Sequence, residues 1–450
     1  MEVDAGGVSG AQGVSHETDV LVIGGGPGGS TAAIRLTELG HRVTLLEKSH
    51  HPRFHIGESL LPANLPLLER LGVLAQVRAI GMQKWGAEFF SKYHGRGETF
   101  EFADSWDKSL QFAYQVRRSQ FDEILIRRAA QVGANVIEGC RVRDVELGSG
   151  GGALVRAEHD DGRKEQWRAR YVVDASGRDT FFGSRLNAKR RNPKHSSAAM
   201  FGHFKGARRY TEAKRAGLIS IYWFEHGWFW FIPLADGITS IGAVVWPYYM
   251  RSRKSEVREF FKDTIAMCRP LAERLEAAEL VSDVEATGNY SYECTLSHGN
   301  SFLMVGDAYA FVDPMFSSGV MLAMNSGLEG AATVDICLRD PVQSVRALRR
   351  YQRIMHHGPR EYSWFINRVT GPTMRNLFMA PRNVLRMKEA ILSLLAGDIF
   401  GKSPIRLSLT AFKVLYYLSA FLTPRRSLAA LKQRAKNIQP AEPERLIAGG

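Results

Sequence analysis

The chain has 450 residues, of which 45% are hydrophobic and 23% are charged, and its formal net charge at pH 7 is +13. This composition is typical of a globular protein that forms one large two-lobed domain or two to three ordinary ones. The positive charge points to an acidic partner, an acidic substrate or a membrane surface. We expect no nucleic-acid partner, because the sequence lacks zinc-ligand spacing, helix-turn-helix punctuation and a lysine-rich arm.

The cysteines and the N-terminus indicate a reducing compartment. Cys140, Cys268, Cys294 and Cys337 are scattered and form no C-x-x-C pair, which argues against a disulfide framework and against a zinc site. Residues 1–16 are rich in glycine and lack the basic and apolar segments of a signal peptide. We therefore predict a disordered tail, no metal and a cytoplasmic location.

The first predicted elements form a nucleotide-binding β-α-β unit. An apolar run at 19–23 predicts a buried parallel strand, and a helical pattern and a second strand follow it. The connection reads G-x-G-x-x-G, with glycines at Gly24, Gly26 and Gly29. Glycine serves there for the tight turn, for the approach of a pyrophosphate and for the contact between helix and strand. Glu47 ends the second strand, where its carboxylate can accept hydrogen bonds from ribose hydroxyls.

Two further motifs follow this unit. Residues 55–62 read H-I-G-E-S-L-L-P, which locally predicts a polar loop leading into a helix with Pro62 near its first turn. Lys84 precedes the run Trp85-Gly86-Ala87. Taken locally, it is a charge at the start of a strand, on the protein surface.

The run Trp228-Phe229-Trp230-Phe231-Ile232-Pro233 predicts an apolar strand that stops at a residue unable to donate to a ladder. A buried aromatic strand would explain such a run by itself. A buried strand requires only apolar residues, however, so packing alone does not explain why two tryptophans occur at a spacing of two.

Two polar motifs come later in the chain. Gly306-Asp307 follows a predicted strand and is a common turn dipeptide, but its position before a helix favours a carboxylate that accepts from a bound polyol. Ser317-Ser318-Gly319 then opens a predicted helix, whose N–H groups can hold an anion. The anion can be the edge of a bound cofactor or a small ion, and simple helix capping is the third alternative.

The element pattern predicts an α/β fold, with a Rossmann-type nucleotide-binding lobe, an inserted antiparallel sheet and a helical C-terminal region. The predicted ranges are a tail at 1–16, the first part of the nucleotide lobe at 17–195, the substrate-side sheet at 196–300, the return of the lobe at 301–370, a helical region at 371–438 and a tail at 439–450.

Together these motifs resemble the FAD-dependent halogenases of the phenol and pyrrole type, within the flavin monooxygenase superfamily. The resemblance covers about residues 19–366, with a weaker echo at 395–400. It is carried by W-x-W-x-I-P, G-E-S-x-x-P, the D-P-x-F-S-S-G-V element and a lysine before an aromatic-Gly-Ala run. Met315 and Met321 depart from the family pattern, which bears on the shape of the chamber. The chain lacks the longer insertions of tryptophan halogenases, which favours a phenol, a pyrrole or a carrier-bound substrate.

The resemblance implies a role for each matching residue. The nucleotide lobe would then be an FAD-binding lobe of the flavin monooxygenase kind. Catalytic residues would be Lys84, Trp228 and Trp230, and the halide would lie at Ser318 and Gly319. The cofactor-binding residues would be Gly24, Gly26, Gly29, Glu47, Lys48, Ser59, Arg118, Asp307 and Gly319.

The resemblance also implies the reaction. FAD, reduced by a separate NAD(P)H-dependent flavin reductase, would use O2 and a chloride or bromide ion to make hypohalous acid. Lys84 would receive this oxidant and direct it to an electron-rich aromatic ring in secondary metabolism, and the two tryptophans would keep organic substrates away from the flavin. A desolvated lysine has a lowered pKa that suits this task. A carboxylate should lie nearby, and the sequence leaves open Glu88, Glu101 and Asp107, with Glu88 on the same strand face unless Gly86 is a bulge.

The C-terminal segment 408–422 is apolar, aromatic and flanked by basic residues. It is too short and interrupted to span a membrane. It predicts a helix packed over the substrate lobe, an interfacial helix on anionic lipid at the inner membrane face, or a docking surface for an acidic acyl-carrier protein. The competing functions are a flavin-dependent aromatic hydroxylase or isoprenoid-type reductase, and a membrane-peripheral flavoprotein that binds or transfers electrons.

Overall fold

A computed structural model describes residues 15–193, 195–288, 291–381, 383–401 and 403–438. Its first part contains β1 (Ser15–Ile23), α1 (Pro27–Glu38), β2 (Val43–Leu46), α2 (Asn64–Arg70), α3 (Leu74–Ile80), β3 (Met82–Lys84), β4 (Gly86–Ser91), β5 (Arg96–Glu101), β6 (Ala113–Gln115), α4 (Arg118–Gln131), β7 (Asn135–Ile137), β8 (Cys140–Leu147), β9 (Ala153–His159) and β10 (Lys164–Asp174).

The middle part contains α5 (Phe181–Arg185), β11 (Lys189–Arg191), β12 (Ala198–Lys205), α6 (Ala213–Ala216), β13 (Ile219–Phe224), β14 (Gly227–Pro233), β15 (Ile238–Val245), α7 (Pro247–Arg251), α8 (Val257–Ala266), α9 (Arg269–Ala272), β16 (Glu279–Leu280), β17 (Glu285–Thr287), β18 (Tyr292–Cys294) and β19 (His298–Gly299). The last part contains β20 (Phe302–Met304), β21 (Ala310–Phe311), α10 (Gly319–Arg339), α11 (Ser344–Val369), α12 (Pro372–Met379), α13 (Met387–Ala396), α14 (Ile405–Leu422) and α15 (Pro424–Ile438).

The predicted nucleotide lobe is built on a sheet of eight strands. Its path runs β19-β20-β10-β1-β2-β7, and β9 and β8 extend it from β10. The pairs from β20 through β10, β1 and β2 to β7 are parallel. The helices α1 and α10 pack against each other, and α1 also contacts β1 and β2. Residues 20–23 of β1 and 43–46 of β2 are all buried, so both faces of these two strands are covered, as expected for a parallel sheet.

The predicted terminal tails need one correction. Ser15 and His16 belong to β1, where they pair in register with Gln166 and Trp167 of β10. Because β10 is eleven residues long, it offers pairing partners to residues that carry no apolar strand pattern of their own. The remainder of the predicted tails, at 1–14 and 439–450, lies outside the described residues.

The second sheet also has eight strands, in the order β16-β12-β15-β14-β13-β4-β5, with β17 on β12. The predicted range 196–300 supplies six of these strands, and β4 and β5 come from the segment assigned to the nucleotide lobe. The sheet is therefore mixed, because β4 joins the edge of β13 in parallel register. This addition could not be predicted by dividing the chain into contiguous ranges, because the pairing joins segments more than 120 residues apart, such as Ala87 and Ile219.

The two faces of this second sheet are covered by different elements. Trp228 and Trp230 point to the face that packs against the C-terminal helices α12, α13 and α14. Phe229 and Phe231 alternate to the opposite face, where they pack with Phe261 of α8. The predicted tryptophan strand is thus β14, buried along its whole length and ending at Pro233.

Candidate functional site

The glycine loop lies where the first sheet meets α1, and two of its glycines are required by close packing. A Cβ on Gly29 would lie 1.9 Å from the carbonyl oxygen of Gly24, and a Cβ on Gly24, whose φ is +100°, would lie 2.5 Å from the Ala175 oxygen. The Cβ position of Gly26 is open, with the Arg53 guanidinium as its nearest neighbour at 3.7 Å. The loop therefore leaves the N-terminus of α1 accessible to a pyrophosphate.

Glu47 supports this loop. Its Oε2 accepts a hydrogen bond from the Gly25 N–H at 2.7 Å, and its Oε1 accepts from the Ser49 N–H at 3.0 Å. The next residue, Lys48, forms an ion pair with Asp179. Glu47, Lys48 and Asp179 all line one cavity. The carboxylate that is predicted to hold a ribose therefore also fixes the backbone of the glycine loop, through its bond to the Gly25 N–H.

Arg118 connects α4 to the loop at 55–59. Its guanidinium donates two bonds to the Asp122 carboxylate, at 2.8 and 2.9 Å, and a third to the Ile56 carbonyl at 2.9 Å. Burial works to raise the pKa of Asp122, but the Arg118 charge holds it below its ordinary value. Burial also lowers the pKa of His55 to about 4, so this imidazole is neutral at physiological pH.

Asp307 lies in a 3-10 turn, Gly306–Ala308, directly after β20. Its side chain faces the same cavity, and loss of solvation raises its pKa to about 6. The Tyr292 hydroxyl donates to its backbone carbonyl at 2.7 Å and fixes the turn. A carboxylate in this place can accept hydrogen bonds from a polyol.

The Ser317-Ser318-Gly319 turn is shaped by Asp313. One carboxylate oxygen of Asp313 accepts from His195 Nε2 at 2.9 Å and from Ser197 Oγ at 3.0 Å, and the other accepts from the Met315 N–H. Sequence reasoning missed His195 and Ser197, because only the fold brings them to this turn.

The turn itself places Ser318 at the start of α10. The Ser317 backbone has a φ of +56°, and the Ser318 side chain makes no capping hydrogen bond. Nothing lies within 4 Å of the Cβ position of Gly319. The helix end is thus open, and the capping alternative has no side-chain bond to support it.

Trp228 and Trp230 line the same cavity from the second sheet, together with Phe201. The two indole centroids are 6.1 Å apart, and the Trp230 ring is held by its Nε1–H bond to Ser240 Oγ at 3.1 Å. The cavity has a volume of about 550 Å³ and extends from the glycine loop to this aromatic face.

Lys84 ends β3, and it is 1% exposed. Its ammonium group donates to Ser59 Oγ at 2.9 Å and to the Leu60 carbonyl at 2.8 Å. The ring of Phe102 lies 5.3 Å away. The surface position suggested by local sequence alone is therefore wrong. The same burial lowers the pKa of Lys84 to about 7.

Ser59 joins this lysine to the cavity. Ser59 is part of the cavity wall, and its hydroxyl accepts the hydrogen bond from Lys84. The lysine itself is not part of the cavity lining, so one hydroxyl separates the amine from the space that the glycine loop and the tryptophans enclose.

The residues present fit FAD. The open N-terminus of α1 suits a pyrophosphate, Asp307 suits a ribityl chain, and the apolar wall of Trp228, Trp230 and Phe201 suits an aromatic ring system. Within the part of the chain that the structure describes, no group of three or more His, Cys, Asp or Glu side chains is placed to hold a metal ion.

Comparison with known proteins agrees with this geometry. Residues 17–336 match the FAD binding domain family. A 1H-pyrrole-2-carbonyl-[peptidyl-carrier protein] chlorinase from Pseudomonas fluorescens is 31% identical over 409 residues, which cover 86% of this chain and 90% of that protein. The chain belongs to the FAD-dependent halogenase family.

Solved structures show the same fold. The myxobacterial chondrochloren halogenase, described as a new variant of FAD-dependent halogenases, has 32% identity and a TM-score of 0.75, and the match covers 90% of this chain and 97% of that one. A flavoprotein/dehydrogenase from Cytophaga hutchinsonii has 29% identity and a TM-score of 0.83, over 90% of this chain and 99% of that one. The predicted fold class and the predicted family are therefore confirmed, and FAD is the cofactor of this halogenase family member.

The predicted site residues divide into three groups. Ten line the FAD cavity, namely Gly24, Gly26, Glu47, Lys48, Ser59, Arg118, Trp228, Trp230, Asp307 and Gly319. Gly29 supports the loop from behind, and Ser318 lies buried beside Gly319. Lys84 lies behind the cavity wall.

The three carboxylates suggested as partners of Lys84 do not contact it. Glu88 is buried on the opposite face of the second sheet, where the Tyr210 hydroxyl donates to it at 3.0 Å and the Ser220 hydroxyl at 3.3 Å. The expectation of one shared strand face is wrong because Lys84 ends β3 and Glu88 belongs to β4, with Trp85 between the two strands. Glu101 is exposed, and Asp107 accepts from Ser109.

A further carboxylate that lines the cavity close to Lys84 in the fold is Glu58, the neighbour of Ser59. It is 2% exposed and accepts from His203 Nε2 at 2.9 Å through Oε1, and its Oε2 has no partner among the described residues. Glu58 belongs to the G-E-S-x-x-P motif, but its role cannot be predicted from the motif alone, because its partner His203 lies 145 residues away in the chain.

Proposed function

We propose that this enzyme halogenates an electron-rich aromatic ring with hypohalous acid that Lys84 receives and directs. Bound FAD, reduced by a separate NAD(P)H-dependent reductase, would supply two electrons and two protons, so that O2, a halide and one further proton give hypohalous acid and water. The observation that carries the proposal is the buried Lys84 amine, one hydroxyl behind the wall of the cavity. Its pKa of about 7 leaves a fraction of the amine neutral and reactive at neutral pH.

The halide is proposed to bind at the N-terminus of α10, beside Gly319. The backbone there carries the positive end of a helix of 21 residues, and the Ser318 side chain does not satisfy its amides. Asp313 lies behind the turn, and its carboxylate accepts hydrogen bonds from three donors. These donors reduce the repulsion that its negative charge would exert on a halide.

Trp228 and Trp230 are proposed to keep organic molecules away from the flavin ring while small oxidants pass. Both rings are buried, and Trp230 is fixed by Ser240. This arrangement favours halogenation over the direct hydroxylation that a flavin monooxygenase performs on a substrate in contact with its flavin.

The substrate class is proposed to be a phenol or a pyrrole, free or attached to an acyl-carrier protein. One relative is named for action on a pyrrole-2-carbonyl group held by a peptidyl-carrier protein. Parallel reactions with a free pyrrole, a free phenol and the carrier-bound pyrrole would distinguish these forms by the mass of the product.

The test uses purified enzyme with FAD, a flavin reductase, NADH, O2 and bromide or chloride, and a soluble hypohalite trap. We expect halide-dependent modification of the trap in the wild type and in Lys84→Met. Halogenation of the aromatic substrate should fall at least about 100-fold in Lys84→Met. Lys262→Met, which changes a half-exposed lysine paired with Glu259, is the matched control and should keep full activity.

Two results would contradict the proposal. Hydrogen peroxide as the main product, with no halide dependence in the presence of substrate, would favour the hydroxylase or reductase alternative. Unchanged substrate halogenation in Lys84→Met would leave the family assignment intact and remove the relay role of the lysine.

A further inference from the structure

The C-terminal helix α14 carries an apolar stripe on its outer side. Its large exposed residues recur at spacings of three and four, so they lie on one face of the helix. They are between 52% and 84% exposed and comprise Leu407, Val414, Tyr417, Leu418, Phe421 and Leu422. At 1.5 Å per residue this outer stripe is about 22 Å long. The following helix α15 adds exposed Leu428 and Leu431.

The opposite face of α14 is anchored in the protein. Leu409 and Phe412 are buried, and the Phe412 ring stacks on Phe365 of α11 with centroids 5.8 Å apart. Lys413 forms an ion pair of 2.9 Å with Glu361. The helix position is therefore fixed, and the outer stripe is not a core face that a small shift would bury.

The charged residues of the C-terminal segment that forms α14 and α15 are all basic. The segment from 403 to 438 contains no acidic residue and seven basic ones, namely Arg406, Lys413, Arg425, Arg426, Lys432, Arg434 and Lys436. Arg406, Arg425, Lys432 and Lys436 are exposed. Exposed apolar residues with basic residues around them match a surface that is apolar inside and anionic outside.

Aromatic and basic side chains also meet beside the stripe. Arg368 donates to the Tyr417 hydroxyl at 2.9 Å and lies 4.5 Å from the centroid of the Trp364 ring. Tyrosine and tryptophan prefer the level of lipid headgroups, where their rings are apolar and their polar atoms stay hydrated.

We propose that α14 and α15 dock this enzyme on an anionic lipid surface, with α14 lying in the plane of the headgroups. A second copy of the chain fits less well, because it would bring two basic helical hairpins together. An acidic protein would satisfy the charge, but a straight apolar stripe beside a cluster of aromatic rings fits a lipid layer better.

The helix lies on the membrane and does not cross it. It is the one described helix that is long and apolar enough for a span by length and composition, with 18 residues and a mean hydropathy of 1.3. The expectation that segment 408–422 is too short to span is therefore wrong by length alone, because the helix begins at Ile405. A span would, however, break the contact of Phe412 with Phe365 and the ion pair of Lys413 with Glu361.

The test is flotation of the full chain with vesicles of phosphatidylcholine alone and of phosphatidylcholine with phosphatidylglycerol. We expect binding to the anionic vesicles that weakens at high salt. The double variant Phe421→Ser, Leu422→Ser should bind at least about tenfold more weakly, because it removes two large apolar side chains from the contact. Val342→Ser, at a valine that is 91% exposed outside this surface, is the matched control and should bind like the wild type.

A charge variant separates the two components of the contact. Lys432→Gln with Lys436→Gln should reduce binding to anionic vesicles and weaken its salt dependence, while Lys262→Gln on α8 should change neither. All variants should keep the hypohalite reaction and the circular dichroism of the wild type, since the surface lies outside the FAD cavity.

Three outcomes would overturn the proposal. The first is that the wild type binds neither vesicle. The second is that the wild type self-associates and the apolar double variant does not. The third is that the surface binds an acidic carrier protein and does not bind vesicles. The proposal does not depend on the reaction, so a failure of halogenation would leave the vesicle result to be judged by itself.

Discussion

The glycine loop and the Lys84 site meet at one cavity but are stabilised in opposite ways. In the loop, close backbone contacts admit no side chain at Gly29, and the Gly25 N–H donates to the Glu47 carboxylate. At the lysine, an ammonium group is buried with only a hydroxyl and a carbonyl as acceptors. In the loop, the contacts that shape the cofactor site also stabilise the fold. At the lysine, burial of a reactive group lowers the stability of the fold.

The largest effect is expected in the loop. Gly29→Ala should lower the free energy of unfolding by about 3 kcal/mol or more, because the new Cβ meets the Gly24 oxygen and the backbone must move. FAD retention and denaturant unfolding would be measured together. Gly150→Ala, at a glycine with no neighbour within 4 Å of its Cβ position, should be neutral, and a stable, FAD-loaded Gly29→Ala protein would refute this account of the loop.

At the lysine, the same comparison predicts that activity and stability move in opposite directions. Lys84→Met should lose substrate halogenation and melt about 2–4 °C higher at pH 6.5, because it removes a buried charge without a carboxylate partner. Thermal unfolding of both proteins would be followed by circular dichroism. A variant that melts lower would show that the lysine stabilises the fold.

The pH dependence of this difference has a defined sign. The pKa of Lys84 is about 7 in the folded protein, against an ordinary value of 10.5, so between these values the unfolded chain binds the proton that the folded chain does not. The stability of the wild type should therefore rise relative to Lys84→Met as pH increases from about 7 to 10.5. A constant difference in melting temperature across this range would contradict the lowered pKa.

A smaller effect is expected at Ser59, which links the two regions. Ser59→Ala should cost about 1 kcal/mol, because it removes one of the two acceptors of Lys84. Substrate halogenation should fall by about tenfold if the hydroxyl positions the amine for the relay. Steady-state kinetics would separate this loss from a change in FAD affinity, and Ser59→Thr, which keeps a hydroxyl, should restore part of the rate.

The smallest effect on activity is expected at Glu88. Glu88→Gln should leave substrate halogenation within about twofold, because its carboxylate lies on the face of the second sheet away from the tryptophans. It should still lower stability by about 1 kcal/mol, since Tyr210 and Ser220 donate to a charged acceptor. A large loss of rate with normal stability would return Glu88 to the catalytic site.

The sequence by itself determined the local features. The glycine spacing, the apolar strands and the alternation of β14 depend on residues within one or two elements, so the nucleotide lobe, its cofactor class and the buried tryptophan strand were predictable from pattern. The resemblance to the halogenases rested on those motifs, and the FAD binding domain match and the relatives confirm it.

Tertiary structure alone decided the partners of the key side chains. The burial of Lys84 behind Ser59, the pairing of His195 with Asp313 and of Glu58 with His203, and the parallel addition of β4 to β13 all join segments that are far apart in the chain. The exposure of the outer stripe on α14 is of the same kind, since its apolar pattern equally suits a core helix. Local pattern reports which residues share a face, and only the packed fold determines what that face meets.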